Sequence, residues 1–371
     1  MKQYQICTRC IMDTSDPEIT FDENGVCNHC HNFDVNIKPT WRPDETGKEM
    51  LEKIVEKIKR ESQKNEYEAI IGLSGGVDSS YLAYVAVKQL GLRVLPVHID
   101  GGWNSEIAVR NIENVCKSLG LDLHTYVVDW DEMNDLQAAF VRSGLANLDV
   151  PQDHAFYAGV YKFAADNNIR YVLSGSNWAT EGILPPAWGY MAKDRRHLEG
   201  VHERFGKMKL KTFPRISMLE RKLYYPYIKG IKVVTVLDYM PYNKQDAMKV
   251  LETLGWRYYG GKHFESRFTK FFQAYYLPTK FGYDKRRAHL SSLVVSGQMT
   301  REQALAEMET EQYQPDELRE DREYVLRKLD MSEEEFEAIL KAPNRTFRDY
   351  PSSHEYLEVF RKIRSFFRKF M

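Results

Sequence analysis

Short apolar runs alternate along this chain with longer stretches whose apolar residues recur every three or four positions. Ala69-Ile70-Ile71-Gly72-Leu73 is too short for a helix and suits a strand buried on both faces. Residues 93–99, 121–128 and 171–173 repeat that character, and 231–237 is a candidate fifth strand. Between them lie stretches with helical spacing: 48–62, with Met50, Leu51, Ile54, Val55 and Ile58 on one face, then 79–90, 105–119 and 155–167. Strands alternating with helices at this length predict an α/β fold, a parallel sheet with helices on both faces.

From about residue 241 helical patterns dominate and charges of both signs rise. Thr300 with Gln303, and Ser332 with Glu335, have capping-box spacing, and 302–340 reads as two solvated, acidic-faced helices. The end of the chain carries an apolar stripe (Tyr356, Val359, Phe360, Ile363, Phe366, Phe367, Phe370) opposite Arg361, Lys362, Arg364, Arg368 and Lys369. Such a helix fits packing on its own domain, or on a second subunit of a homo-oligomer, better than a membrane surface. Internal repeats are absent. A polar stretch at 38–48, with Pro39 and Pro43, reads as a linker. The organisation expected is a cysteine module at 1–40, an α/β domain at 48–240 and a mainly helical region at 241–371.

Composition narrows the class. In 371 residues, 52 Lys+Arg against 53 Asp+Glu leave a net charge of −1, so a protein built to coat phosphate backbones is not expected. No apolar run reaches the length of a membrane span, and Met1-Lys2-Gln3-Tyr4 lacks the apolar core of a secretory signal. A folded cytoplasmic protein is the expectation.

Four of the five cysteines, Cys7, Cys10, Cys27 and Cys30, form two C-x2-C pairs sixteen residues apart. Each pair can bite one ion, and Asp22-Glu23-Asn24-Gly25 between them is a turn that can fold the pairs together. A closed shell of four thiolates points to structural zinc; an iron–sulfur cluster fits the same donors, while disulfides do not suit a reducing compartment.

Ser74-Gly75-Gly76-Val77-Asp78-Ser79-Ser80 stands between the first strand and its helix. Consecutive backbone N–H groups at a helix start make an anion site, two glycines admit an oxygen closely, the serines add donors, and Asp78 can hold Mg2+. The lysine of a Walker loop and the spacing of a dinucleotide fingerprint are both missing. These residues resemble the PP-loop (N-type ATP pyrophosphatase) superfamily. The resemblance implies that Ser74, Gly75, Gly76, Asp78, Ser79 and Ser80 grip the pyrophosphate of ATP with its Mg2+ while a substrate oxygen attacks the α-phosphorus. Asp100, after the second strand, and Ser174-Gly175-Ser176-Asn177 with Glu181, after the fourth, match further positions. Gly175 and Asn177 are thus expected at the nucleotide, and Asp78, Asp100 and Glu181 in catalysis.

The chain is similar, over nearly its whole length, to the N-acetyl sugar amidotransferases of surface-polysaccharide (O-antigen and pseudaminic-acid-type) biosynthesis. The matching pieces are the cysteine-rich start, the Ser74 loop, Val97-His98-Ile99-Asp100-Gly101-Gly102-Trp103-Asn104, Gly261-Lys262-His263-Phe264-Glu265-Ser266-Arg267-Phe268-Thr269-Lys270, and Asp284-Lys285-Arg286-Arg287-Ala288-His289-Leu290-Ser291. This family is taken to turn an acetamido group on a nucleotide-linked sugar into an acetamidino group. An amide oxygen is tagged with AMP, and ammonia then displaces the AMP. Lys262, His263, Arg267, Lys285 and Arg286 are candidates for holding the sugar nucleotide, with Asp153 and His154 lining the site and His154 a candidate base.

A glutaminase needs an activated cysteine, and only Cys116, on a helical stretch, lies outside the quartet. The resemblance therefore points to ammonia from partner subunits similar to the glutaminase and cyclase barrel of imidazole glycerol phosphate synthase. Two other readings compete. A tRNA-thiolating enzyme also pairs this loop with cysteine motifs, but needs further reactive cysteines and a basic surface. A non-catalytic zinc-ribbon module would not keep the Ser74 loop intact.

Overall fold

The computed structural model describes residues 3–189, 191–354 and 356. In chain order its first half runs α1 (Asn28–Asn32), α2 (Glu45–Glu61), β1 (Ala69–Gly72), α3 (Val77–Tyr84), β2 (Val94–Asp100), α4 (Glu106–Leu119), β3 (His124–Val127), α5 (Trp130–Arg142), α6 (Val150–Asp166) and β4 (Tyr171–Leu173). There follow α7 (Trp178–Glu181), α8 (Arg195–Phe205), β5 (Lys232–Val234), α9 (Lys244–Glu252), α10 (Arg267–Phe271), α11 (Leu277–Phe281), α12 (Lys285–Val295), α13 (Arg301–Met308), α14 (Pro315–Lys328) and α15 (Glu333–Lys341).

All five strands are parallel, in the order β3-β2-β1-β4-β5. Strand order reverses between β1 and β4, which puts a crevice at their carboxyl ends, the place where such sheets bind ligands. The strands read as continuous apolar runs because both faces are covered. Ile70, Val97, Ile99 and Val172 point into one cluster with α5, α6 and α8; Ala69, Ile71, Val94, Tyr171 and Leu173 point into another with α2, α3 and α9.

Several expectations shift. The helix expected at 79–90 begins at Val77 and widens into a π turn over Val85–Gln89. Strand three is shorter than expected and half exposed. A helix at 130–142 was not anticipated, although Met133, Leu136, Phe140 and Val141 lie on one buried face. In place of two solvated helices, 302–340 holds parts of three. Val325, Leu326 and Phe336 from them, with Leu329 and Met331 from the turn between α14 and α15, join the same apolar cluster as the sheet, together with Phe268, Phe271 and Phe272. Thr300 and Gln303 form the reciprocal capping box; Ser332 caps Glu335. Apart from Tyr356, the terminal apolar stripe lies outside the described residues.

The cysteine segment folds on an Asp22–Gly25 turn, with Gly25 at φ +75°. It is clamped to α12 and α13. Ile11 N donates to Ser291 Oγ (3.1 Å), Arg287 reaches Ile11 O and Asp13 (both 2.9 Å), and Arg301 Nε reaches the carbonyls of Cys7 and Cys10 (both 3.1 Å).

Candidate functional site

The loop after β1 is shaped as an anion nest. Gly75 sits at φ +82°, and a Cβ there would come within 2.6 Å of Ala108 O, so only glycine fits. Gly76 N donates to Ser74 Oγ (3.2 Å), Ser74 N to Ser79 Oγ (3.2 Å), and Val77 N to Tyr259 Oη (3.3 Å). Trp256 Nε1 holds the loop from behind through Gly75 O (2.9 Å). Ser80 is wholly buried, and its hydroxyl has no partner among the described residues. Backbone N–H groups at a glycine-rich helix start, held by hydroxyls that can yield to a stronger acceptor, fit a polyphosphate.

The loop after β4 closes against this one. A Cβ on Gly175 would lie 3.1 Å from Ser79 N. Asn177 caps the short α7, with its Oδ1 accepting from Thr180 N (2.9 Å). Thr180 Oγ1 donates to Asp78 Oδ2 (3.4 Å), and Tyr242 donates to the other Asp78 oxygen. Glu181, at the end of α7, pairs with Lys262 (3.2 Å). The structure thus brings Ser74, Gly75, Gly76, Asp78, Ser79, Gly175, Asn177, Glu181 and Lys262 together.

Two motifs far apart in sequence are laced by their backbones. Asn104 and Ser266 form a β-bridge, Ser105 N donates to Glu265 O (2.8 Å) and Arg267 N to Trp103 O (2.9 Å). Asp100 stiffens this junction, accepting from Gly102 N (2.8 Å) and Asn104 Nδ2 (3.1 Å). Asn104 in turn meets His98 Nε2 (3.0 Å), while His98 Nδ1 bonds Leu73 O (2.8 Å) just before the nest. Glu265 is delivered to the nest itself: Ser74 Oγ donates to its Oε1 (3.4 Å). Burial opposes its ionisation, but His263 and Tyr259 outweigh that and hold its carboxyl below the ordinary range.

A second charged group sits beside the first. Asp149 lies just before the first turn of α6 and Asp153 within it. Asp149 accepts from Thr269 Oγ1 (2.9 Å) and Gln152 Nε2 (3.1 Å), and Gln152 Oε1 accepts from Ser266 (3.2 Å), which follows Glu265. Burial, then the Asp153 charge, pushes Asp149 up to about 7. Asp153 is open to the cleft yet walled in by protein, and desolvation lifts it to about 6 against the pull of His263 and Lys285. Lys285, first residue of α12, is lowered by burial and raised by both aspartates. Lys193 is lowered to about 8 by burial and lies 3.7 Å over the Tyr157 ring. His263 has φ +65°, an uncommon conformation for histidine, and its ring packs 5.7 Å from that of His289. Asp153, His263 and Lys285 therefore share one mixed-charge cleft with Glu181 and Lys262.

Three sequence candidates are otherwise engaged, and this corrects the expectation for them. Arg267 is bonded to Asp321 (Nε, 2.9 Å) and lies 3.9 Å over the Tyr324 ring. Arg286 forks onto Asp284 (2.7 Å) and Thr310 O (2.6 Å). His154 is fully buried: Nδ1 bonds Ala192 O (2.7 Å) and Nε2 accepts from Ile216 N (3.1 Å). Burial lowers its pKa, and a ring with both nitrogens on backbone cannot serve as a base. Cys116 is buried in α4 and pushed up to about 11 by burial, so its thiol is poorly nucleophilic. Missed by sequence reasoning were Glu265, Asp149, Tyr242 and Tyr259. Glu265 stood within a quoted motif; the others carry no local signal.

The four cysteine sulfurs lie within 4.8 Å of one another, all on buried residues. Cys10 Sγ and Cys27 Sγ are 3.6 Å apart and Cys7 Sγ and Cys30 Sγ 3.9 Å, close to the ~3.8 Å edge of a tetrahedron with zinc–sulfur bonds of about 2.3 Å. Backbone N–H groups of Arg9, Cys10 and Cys27 point at Cys7 Sγ (3.4, 3.4 and 3.2 Å), as charged thiolates require. The donor set is compatible with zinc.

With this geometry in place, the comparisons with known proteins fall into line. Residues 50–197 match the family model described as NAD synthase. The sheet, the nest and this match define a PP-loop protein. Residues 265–364 match a second model, "LPS biosynthesis protein WbpG-like, C-terminal domain". The chain thus carries a PP-loop domain followed by a segment similar to the WbpG-like C-terminal domain. A GMP synthase [glutamine-hydrolyzing] of Aeropyrum pernix is 37% identical over 88 residues, covering 24% of this chain and 16% of the relative. The same enzyme of Vibrio cholerae serotype O1 is 27% identical over 175 residues, 46% of this chain and 31% of the relative. The chain thus spans less than a third of the length of these relatives. Among solved structures, the NH3-dependent NAD synthetase from Campylobacter jejuni aligns at 17% identity with a TM-score of 0.29, covering 56% of this chain and 83% of that one.

Proposed function

We propose that this chain is an ATP-dependent amidotransferase of lipopolysaccharide biosynthesis. It would adenylate the acetamido oxygen of a nucleotide-linked N-acetyl sugar and replace that oxygen with ammonia. The observation that supports the reading best is the Glu181–Lys262 contact: the last residue of α7 is paired with one just before the WbpG-like segment, as adjoining nucleotide and acceptor sites would require.

An acetamide carbonyl is a weak electrophile without a leaving group. Its oxygen attacks the α-phosphorus, pyrophosphate departs, and the resulting imidate carries AMP. Ammonia adds to the carbon, loses a proton, and AMP leaves with the electron pair of the C–O bond. Nest amides and serine hydroxyls hold the departing pyrophosphate. Asp78 is the family's candidate for Mg2+, which when bound neutralises phosphate charge. Lys285 and His263 suit the diphosphate of a sugar nucleotide, while Lys262 is held by Glu181 and Thr180 O. The acidic pair Asp149 and Asp153 faces a reaction that ends in a cationic amidine. Water must be kept from the imidate, since hydrolysis would only regenerate the amide.

Ammonia is assigned to partner subunits of glutaminase and cyclase-barrel type, because Cys116 offers no exposed nucleophile. The same burial weighs against the tRNA-thiolating alternative. No helix among the described residues is long and apolar enough to cross a membrane, in keeping with a cytoplasmic site of action. The test is ATP–pyrophosphate exchange that depends on an added acetamido sugar nucleotide. With ammonium present, a product lighter by the difference between O and NH should appear with AMP. Exchange that ignores every acetamido sugar, or that requires tRNA, rejects the proposal.

A further inference from the structure

Three carboxylates surround the phosphate loop, and they differ in what they touch. Asp78 accepts from Tyr242 and Thr180. Glu181 is matched by the Lys262 ammonium. Glu265 accepts from Ser74 with one oxygen, while its Oε2 is buried and has no partner among the described residues. A buried, ionised oxygen without a donor or cation is strongly unfavourable.

Its position is dictated by the fold. The backbone of Glu265 and its neighbours is bonded to residues 103–105 on both sides, so the side chain cannot drift away while that junction holds. A Cβ on Gly76 would approach Glu265 Oε1 to 2.8 Å, so the carboxylate lies on the main chain of the nest. A polyphosphate entering the nest meets this negative charge at contact distance. Of the cations nearby, Lys262 is on Glu181, His263 Nδ1 stands 3.9 Å from Glu265 Oε1, and the buried Lys244 ammonium answers to Asp78 and Glu307 before Glu265. One divalent cation shared by the free oxygen and a phosphate oxygen removes both problems. Magnesium is commonly held in this way, by one or two carboxylates plus substrate phosphates, with water completing its shell.

We infer that Glu265 is a ligand of the divalent cation that accompanies the triphosphate, so the nucleotide site of the PP-loop half is completed by the first residue of the WbpG-like half. The inference rests on reading residues 74–80 as the phosphate site.

The test uses the full chain and a non-hydrolysable ATP analogue, titrated by calorimetry with Mg2+ and again with EDTA. Glu265→Gln should weaken binding about tenfold or more with Mg2+ and, by removing a negative charge beside the phosphates, leave it unchanged or tighter with EDTA. Mn2+ bound in the presence of pyrophosphate, followed by electron paramagnetic resonance, should fall in parallel. Glu265→Asp, which keeps the charge but draws it back by one methylene, should fall between wild type and Gln, and thermal melting checks that each variant is folded. Wild-type affinity of Glu265→Gln with Mg2+ overturns the inference. So does tighter binding in both conditions, which would make Glu265 an obstruction. If the wild type binds neither analogue nor pyrophosphate, the phosphate-site reading itself fails.

Discussion

Lys262 Nζ lies 3.2 Å from Glu181 Oε1 and donates to Thr180 O at 3.0 Å, so one ammonium ties the segment before α10 to the helix that follows β4. Lys262→Met leaves Glu181 facing the nest without its counter-charge. We expect a loss of about 2 kcal/mol in stability and a larger fall in sugar-dependent exchange than in binding of the ATP analogue. Urea melts and the two assays separate these effects; equal losses in both would deny Lys262 a role in coupling the sites.

Asp78→Asn can keep the hydrogen bond from Tyr242, but it turns the oxygen that accepts from Thr180 into an NH2 donor and removes the charge. AMP formation should fall by about 10³ or more, with the circular-dichroism spectrum unchanged. A variant that still makes AMP at a tenth of the normal rate would remove Asp78 from the chemistry.

Arg267 and Lys285 should behave oppositely. Arg267→Ala leaves the buried Asp321 with only the Tyr313 hydroxyl (2.8 Å), so a destabilisation of about 3 kcal/mol is expected with little change in KM for the sugar nucleotide. Lys285→Met should raise that KM at near-normal stability. The reverse pattern would restore Arg267 as a substrate ligand.

Asp149 titrates near 7 when folded but near 3.9 when unfolded. The folded chain therefore binds the extra proton across that window, and this residue makes stability fall as pH rises from about 4 to about 7. Asp149→Asn should accordingly raise Tm at pH 8, with the gain fading toward pH 4, while sugar-dependent turnover drops. A Tm difference that does not vary with pH would show that Asp149 is not held protonated by burial.

Cys10→Ser should lower the zinc content measured by mass spectrometry and reduce solubility. It should also raise KM for the sugar nucleotide, because the cysteine segment grips α12 through Ile11 and Arg287, and α12 carries Lys285. Full zinc occupancy in the variant would exclude Cys10 as a ligand.

How much of this was legible beforehand follows from the range of the forces involved. The strands and the helices packed on them were visible because a side chain facing an apolar layer must be apolar whatever its neighbours are. The nest was visible because its geometry is local: Gly75 needs its positive φ, and the donors come from seven consecutive residues. The helix at 130–142 is inconspicuous although its periodicity is present, and the acidic helices look solvated because their charges outnumber the few residues that anchor them, Val325, Leu326 and Phe336.

By itself the sequence determined the parallel α/β sheet, the phosphate loop and the four-thiol quartet, each set by residues near one another in the chain. Only the tertiary structure decided which of the distant charges share a cleft. Arg267 and Arg286 read as substrate ligands until Asp321 and Asp284 are seen to neutralise them, and Glu265 read as one residue of a motif until its backbone pairing with residues 103–105 placed it on Ser74. Electrostatic partnership depends on a few ångströms of separation and on burial, and neither is encoded in spacing along the chain.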